Sequence, residues 1–294
     1  RERIWSIPWL AGTRLLYFRK DLLAQAGIDP QAAFSDHYQL FDTLEKLQAA
    51  GPAAPWVVPT QLSLNTIHYI SSWVWGAGGH YLSPDGKNIL LNTEETYSGL
   101  MDYYSLAPFL PQPAQGLTDD TVERLFWQDG QVAVTIGGHW LMRSFREVCP
   151  SEIYDQLGVV PVPGVPFVGG SNLVIWEHTR QRPEALQLVQ FLASERVQLA
   201  YGQAVGLLPT RLSALAQPPF STDPVYAAAG REINKGRGFS SIPMWNVFER
   251  RLTDAYARIW SAVLESPGED LMTLISRELD PLARRLDIML RSRG

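Results

Sequence analysis

Two hydrophobic rhythms alternate along this chain, with glycine and proline between them. Short segments at 15–18, 57–59, 132–136 and 171–176, mostly apolar, read as strands, too brief for helices. Longer stretches carry apolar residues at helical spacing. Leu40, Phe41, Leu44 and Leu47 predict a helix over 38–50 that Gly51-Pro52 stops, and the apolar run 67–75 predicts another closed by Gly76-Ala77-Gly78-Gly79. Thr93-Glu94-Glu95 caps a helix reaching about 106, with Tyr97, Leu100, Met101 and Tyr104 on one face. Near the end, Phe248, Leu252, Ala255, Tyr256, Ile259 and Val263 make one helical stripe, and Leu271, Ile275, Leu279, Leu282, Leu286 and Met289 make a second.

Shorter elements fill the gaps. Residues 20–26 form a helical turn that Gly27 ends in the left-handed conformation, and Asp119-Asp120 opens a helix over 121–128 that stops at Gly130. Gly137-Gly138-His139-Trp140 reads as a glycine break opening a helix, and 159–165 as an extended, proline-spaced crossing. Pro183-Glu184 begins a helix with Ala185, Leu188, Val189 and Leu192 inward, followed by a second helix from Glu195 to Tyr201. Helices dominate, short strands lie between them, and there is no internal repeat. The fold class is α/β.

Composition narrows the function. A length of 294 residues predicts about two domains. With 46% hydrophobic and 19% charged residues the chain builds a core and is not globally disordered. A net charge of -5 argues against a nucleic-acid surface, and Arg284, Arg285, Arg291 and Arg293 read as a solvated face toward a helix C-terminus. The one cysteine, Cys149, allows neither an intrachain disulfide nor a thiolate metal cluster. No window is apolar for the ~18 residues a membrane span needs, and residues 1–7 are too polar and short for a signal peptide, as in a processed or trimmed chain.

Catalytic motifs do not emerge. There is no His-Glu-x-x-His zinc pattern, no Gly-x-Ser-x-Gly elbow, and no phosphate-cradling glycine loop; the five histidines lack ligand spacing, so no cofactor or metal is expected. Glu94-Glu95 and Asp119-Asp120 are explained by helix N-termini better than as the flanking carboxylates of a glycosidase. The outlier is tryptophan, with 10 copies beside 11 Tyr and 11 Phe. An indole offers a broad apolar face and one N–H donor, which suits the C–H-rich face of a pyranose as well as it suits a core.

The segment 7–29, Ile-Pro-Trp-Leu-Ala-Gly-Thr-Arg-Leu-Leu-Tyr-Phe-Arg-Lys-Asp-Leu-Leu-Ala-Gln-Ala-Gly-Ile-Asp, resembles the stretch of bacterial extracellular solute-binding proteins, the sugar-binding (maltodextrin-type) branch serving ABC importers, where the chain crosses between lobes. Further blocks follow in the family's order: Phe126-x3-Gly130-x2-Ala133-x3-Gly137-x2-Trp140, Gly158 to Pro163, Gly169-Gly170-Ser171 with Pro183-Glu184-Ala185, Gly206-Leu207-Leu208-Pro209, and Pro243-Met244-Trp245 before a long helix. Phe34-Ser35-Asp36-His37-Tyr38 stands where the family usually has Thr-Trp, and Leu10 where many relatives have a polar residue. In the family about a hundred residues of the first lobe precede the crossing; here it comes almost at once.

The resemblance implies a periplasmic-binding-protein-like (type II) two-lobe fold, with the second lobe (11–166 and 208–294) nearly complete and the first (1–10 and 167–207) a remnant with exposed strand edges. Those edges lead to the expectation of a missing N-terminal segment, a second chain, or unusual packing against them. It implies an extracytoplasmic location, in a periplasm or as a surface lipoprotein. The implied role is capture of an oligosaccharide or polyol for the permease subunits of an importer, without chemistry. A ligand-sensing domain of a signalling protein and a carbohydrate-active enzyme are the alternatives.

Candidate contacts follow from the crossings. Trp140 and Trp245 stand at helix starts where the family places stacking aromatics, and Trp9 lies at the first crossing. His68 falls where maltodextrin-type relatives carry an aromatic contact, though a histidine in an apolar run also serves as a core residue; Trp73 and Trp75 share its helix, and one of them is expected in the core. Gly170 and Ser171, with Gly169, bring backbone N–H groups and a hydroxyl to sugar hydroxyls or merely make a tight turn. Arg14 donates a forked pair of hydrogen bonds to ligand or forms a surface ion pair.

Overall fold

A computed structural model describes residues 4–51, 54–146 and 148–292. Its organising element is one thirteen-residue strand, β1 (Ile7–Arg19), against which four others pair. Its second half lies between β3 (Val132–Gly138) and β4 (Leu157–Pro161), both antiparallel to it, and β2 (Ala54–Val57) adds in parallel outside β3. The first half instead pairs with β5 (Val168–Leu173) on one side and the two-residue β6 (Leu208–Pro209) on the other. The exchange falls between Thr13, opposite Val168, and Arg14, opposite Gly138.

Alternation along β1 builds two cores. Leu16 and Phe18 face one cluster, while Leu15 and Tyr17 face another containing Phe126, Trp127, Phe220 and Val225. Because both faces are covered, 15–18 reads as a continuous apolar run rather than an alternating one. The first cluster is roofed by helices α1 (His37–Ala50), α2 (Leu64–Gly76) and α3 (Glu94–Tyr104), capped by the side chains of Asp36, Ser63 and Thr93. Helices α4 (Arg182–Leu192) and α5 (Glu195–Val205) follow β5, and α6 (Pro224–Ile233) starts from an Asp223 cap with proline in its first turn. The amphipathic pair α7 (Trp245–Glu265) and α8 (Leu271–Arg291) completes the first cluster, burying Phe248, Leu252, Tyr256, Leu274, Leu279 and Leu286. No helix is long and apolar enough to cross a membrane among the described residues.

Two local expectations are corrected. Gly137 and Gly138 do not break the chain; they end β3, and the short helix Leu141–Phe145 starts after Trp140. Strand pairing with β1 holds them extended, and a side chain at Gly138 would collide with the Trp140 ring. In α4, Val189 is buried, but Leu188 is 56% exposed and Leu186 and Phe191 lie open as well. Ile4, Trp5, Val174 and Trp176, beside the ends of β1 and β5, are also exposed. The outer edge of β5 pairs with no other strand among the described residues.

Candidate ligand-binding cleft

The junction of β1 places a charged residue where two sheets part. Thr13 Oγ1 donates to the Phe167 carbonyl at 2.8 Å, tying the strand to the start of β5. Arg14, next along, is 6% exposed. Its Nη2 donates to Asn65 Oδ1 at 3.1 Å and to His68 Nδ1 at 2.8 Å, both on α2. The guanidinium carbon lies 4.7 Å from the ring centre of Trp140 and 5.6 Å from that of Phe167. Nε is buried without a hydrogen-bond partner. Among the described residues no carboxylate lies within 4.0 Å of this guanidinium. Acids reach it through neutral intermediaries: Asn65 Nδ2 donates to Asp119 Oδ1 at 3.1 Å, and His68 Nε2 stands 3.9 Å from Glu249 Oε1. Burial pulls the guanidinium pKa below its ordinary 12.5, yet arginine stays cationic in proteins.

His68 is stacked on Phe167, ring centres 4.1 Å apart and 17° from parallel, with Phe239 beyond at 5.8 Å. Burial, reinforced by the Arg14 charge, holds its pKa at about 3. The ring is therefore neutral at physiological pH. Since Nδ1 accepts from Arg14, the proton sits on Nε2, toward Glu249. The Glu249 carboxyl is itself pushed up by burial.

Glycines shape the opposite wall. A Cβ at Gly138 would lie 2.2 Å from the Trp140 ring, so the indole folds back over that residue; at Gly12 a Cβ would lie 3.3 Å from the same ring. On β5, Gly170 has φ +152°, and a Cβ there would meet the Leu10 carbonyl oxygen at 2.1 Å. The result is a cavity of about 380 Å³ walled by the side chains of Arg14, His68, Trp140, Phe167, Phe239 and Glu249. Leu10 to Gly12 and Gly169 to Ser171 bring their backbone to its rim. Two larger depressions, about 630 Å³ beside Phe109 and about 500 Å³ beside Phe34, lie away from the junction. Volume does not single out the site; the convergence of aromatic faces, a buried cation and close backbone does. Arg143, just after Trp140, donates from Nη1 to the carbonyls of Gln203 and Ala204 at the end of α5, tying the two sides together.

Five of the eight residues singled out in the sequence line this cavity: Arg14, His68, Trp140, Gly170 and Ser171. Trp73 does not. It is fully buried, stacked on His37 at 5.2 Å with its edge to Tyr103, because five residues along a helix turn it about 140° from His68. Trp9 points the other way along β1, its Nε1 donating to the Leu192 carbonyl at 3.2 Å and its ring 4.6 Å from Tyr201. Trp245 stands one ring behind the wall, stacked on Phe239 at 4.6 Å and Phe248 at 5.0 Å, beside a separate small cavity with Trp75 and Tyr81. Phe167, Phe239 and Glu249 escaped the sequence reading. Phe167 is two residues before the glycine pair, and Glu249 is one helical turn beyond Trp245, so their neighbours were the available signals.

The sequence model of bacterial extracellular solute-binding proteins matches residues 1–199. The chain belongs to that family. Its relatives include the diacetylchitobiose binding protein DasA of Streptomyces coelicolor, 22% identical over 254 residues, a match covering 83% of this chain and 58% of that protein. The maltodextrin-binding protein MdxE of Bacillus subtilis is 22% identical over 279 residues, covering 86% of this chain and 62% of that protein. Among solved structures, the sugar-binding protein MalE of Xanthomonas citri superimposes with a TM-score of 0.82 at 20% identity, over 98% of this chain and 71% of that one. The fold is thus the periplasmic-binding-protein-like one of this solute-binding family, and the chain spans about three-fifths of the length of the curated relatives it matches.

Proposed function

We propose that this chain captures a carbohydrate, an oligosaccharide or related polyol, for an ABC importer, and holds it at the β1 junction without chemistry. The observation that carries this reading is the single cavity in which Trp140, Phe167 and Phe239 offer ring faces while Arg14, Ser171 and Glu249 offer donors and acceptors. Ring faces stack on the apolar side of a sugar and the polar groups read its hydroxyls. Relatives named for diacetylchitobiose and maltodextrin support the ligand class. Of the carboxylates, Glu249 lines the cavity, which suits binding better than the two-carboxylate arrangement of glycoside hydrolysis.

The proposed lobes are 1–10 with 167–207, and 11–166 with 208–294; β1 changes partners three residues beyond the first boundary. A ligand touching both would favour their closed arrangement, because it gains contacts in that arrangement alone. The exposed large apolar side chains of the smaller lobe, Val174, Trp176, Leu188 and Phe191 among them, support a covering segment or second chain over it. Partners are the permease subunits, and the location is extracytoplasmic, in a periplasm or at a cell surface as a lipoprotein. The test is calorimetry on a saccharide panel, with this chain and with the same chain extended upstream as in its relatives. Saturable binding of a saccharide by either supports the reading; binding of another solute class with no saccharide response overturns it.

A further inference from the structure

Arg14 is costly as it stands. A guanidinium taken out of water needs an ionic partner or a full set of hydrogen bonds. Here its two hydrogen bonds go to neutral acceptors, Asn65 Oδ1 and His68 Nδ1, and Nε has none. Asp119 and Glu249 are each held one side chain away, and Asp119 favours the positive charge without occupying its surface. The guanidinium is buried against the Trp140 and Phe167 rings and held by its bonds to α2, away from surface acids. A neutral sugar would be served as well by an amide in this position. With both Nη2 protons committed to Asn65 and His68, it is the fixed positive charge, not a free two-donor fork, that favours a carboxylate over a neutral hydroxyl here.

In the same cavity Glu249, on α7, presents an acceptor beyond His68, and the glycine-rich rim presents backbone. The cavity is therefore polarised, with a cation at the β1 end and a hydrogen-bond acceptor at the α7 end. We infer that the ligand is an acidic saccharide, a hexuronate or uronate-ended oligosaccharide, whose carboxylate lies on Arg14 and whose hydroxyls point to Glu249. This rests on the carbohydrate reading above and narrows its ligand class.

The experiment is calorimetric titration of the full chain with matched disaccharides: 4-linked digalacturonate against 4-linked galactobiose, and a glucuronate-ended disaccharide against its glucose counterpart. At least one acidic member is expected to bind at least tenfold more tightly than its neutral partner. In Arg14→Gln that ratio should fall to near unity, while Arg14→Lys, which keeps charge but loses the fork, should retain part of it. The wild-type ratio decides the matter even if a variant fails to fold. Equal or tighter binding of the neutral sugars overturns the inference and leaves the carbohydrate reading intact. A response to neither member of either pair overturns the acidic-ligand inference, and the carbohydrate reading then stands or falls on the wider saccharide panel.

Discussion

Arg14 Nη2 donates to His68 Nδ1 at 2.8 Å, and that bond fixes which nitrogen of the imidazole carries the proton. A strand residue at the sheet junction thereby sets the chemistry of a helix residue 54 positions away. His68 must present Nε2–H toward Glu249 and must stay neutral to accept from Arg14.

The pH dependence follows from that neutrality. His68 has a folded pKa of about 3, below the ~6.5 of an unfolded histidine. Below pH ~6.5 the unfolded chain takes up a proton that the folded chain refuses, so this contribution to stability is full above that pH and is lost as pH falls toward 3. Buried His139, held at about 4, acts in the same direction. His68→Gln should be less stable than wild type at pH 7, and the gap should narrow by pH 4.5 in urea unfolding. A gap independent of pH contradicts the neutral assignment.

Two tryptophans, both candidates from sequence, should separate cleanly. Trp73→Ala should cost about 3–5 kcal/mol of stability, the range for deleting a large buried aromatic. Trp140→Ala should cost less stability but weaken saccharide binding about tenfold or more, since its ring is a wall of the cavity. Paired denaturation and calorimetry check both. Retained affinity in folded Trp140→Ala counts against the site.

Trp245→Ala should fall between these. The ring supports Phe239 from behind without lining the cavity, so affinity should drop a few-fold through a displaced Phe239 rather than through lost ligand contact. In such a variant the loss should be larger than in Trp9→Ala, whose ring packs on α5 instead.

At Gly170 the backbone itself is tested. Its φ of +152° and the 2.1 Å approach to the Leu10 carbonyl mean that Gly170→Ala must shift β5 away from β1. Strain of this kind costs on the order of 1–3 kcal/mol. Faster amide exchange along β5, with loss of binding, is expected. Gly268→Ala, with open space around it, is the control and should change neither.

Much of this could be read from residue order, and the failures have physical causes. The amphipathic stripes of α7 and α8 were legible because each repeats its apolar face over 21 residues. β1 was legible only at 15–18; its first half carries Pro8 and Gly12, weak strand formers that stay extended because the segment pairs with β5 and β6. In α4 the apolar spacing was right, yet Leu188 stays exposed because no described residue packs over it. At the site, family likeness and glycine patterns led to Arg14, His68 and Trp140. The faces of Trp73 and Trp9 depend on rotation about a helix and a strand that spacing near a crossing does not give. Phe239 sits in an irregular loop with no period to mark it.

The central claim, that the β1 junction is where a sugar is held, is tested most directly by a crystal structure of the chain grown with a bound saccharide. The expected result is a sugar ring in van der Waals contact with Trp140 and a sugar oxygen within hydrogen-bond distance of Arg14. A well-ordered saccharide against Trp9, or in the depressions beside Phe109 or Phe34, with the junction cavity free of sugar, would contradict it.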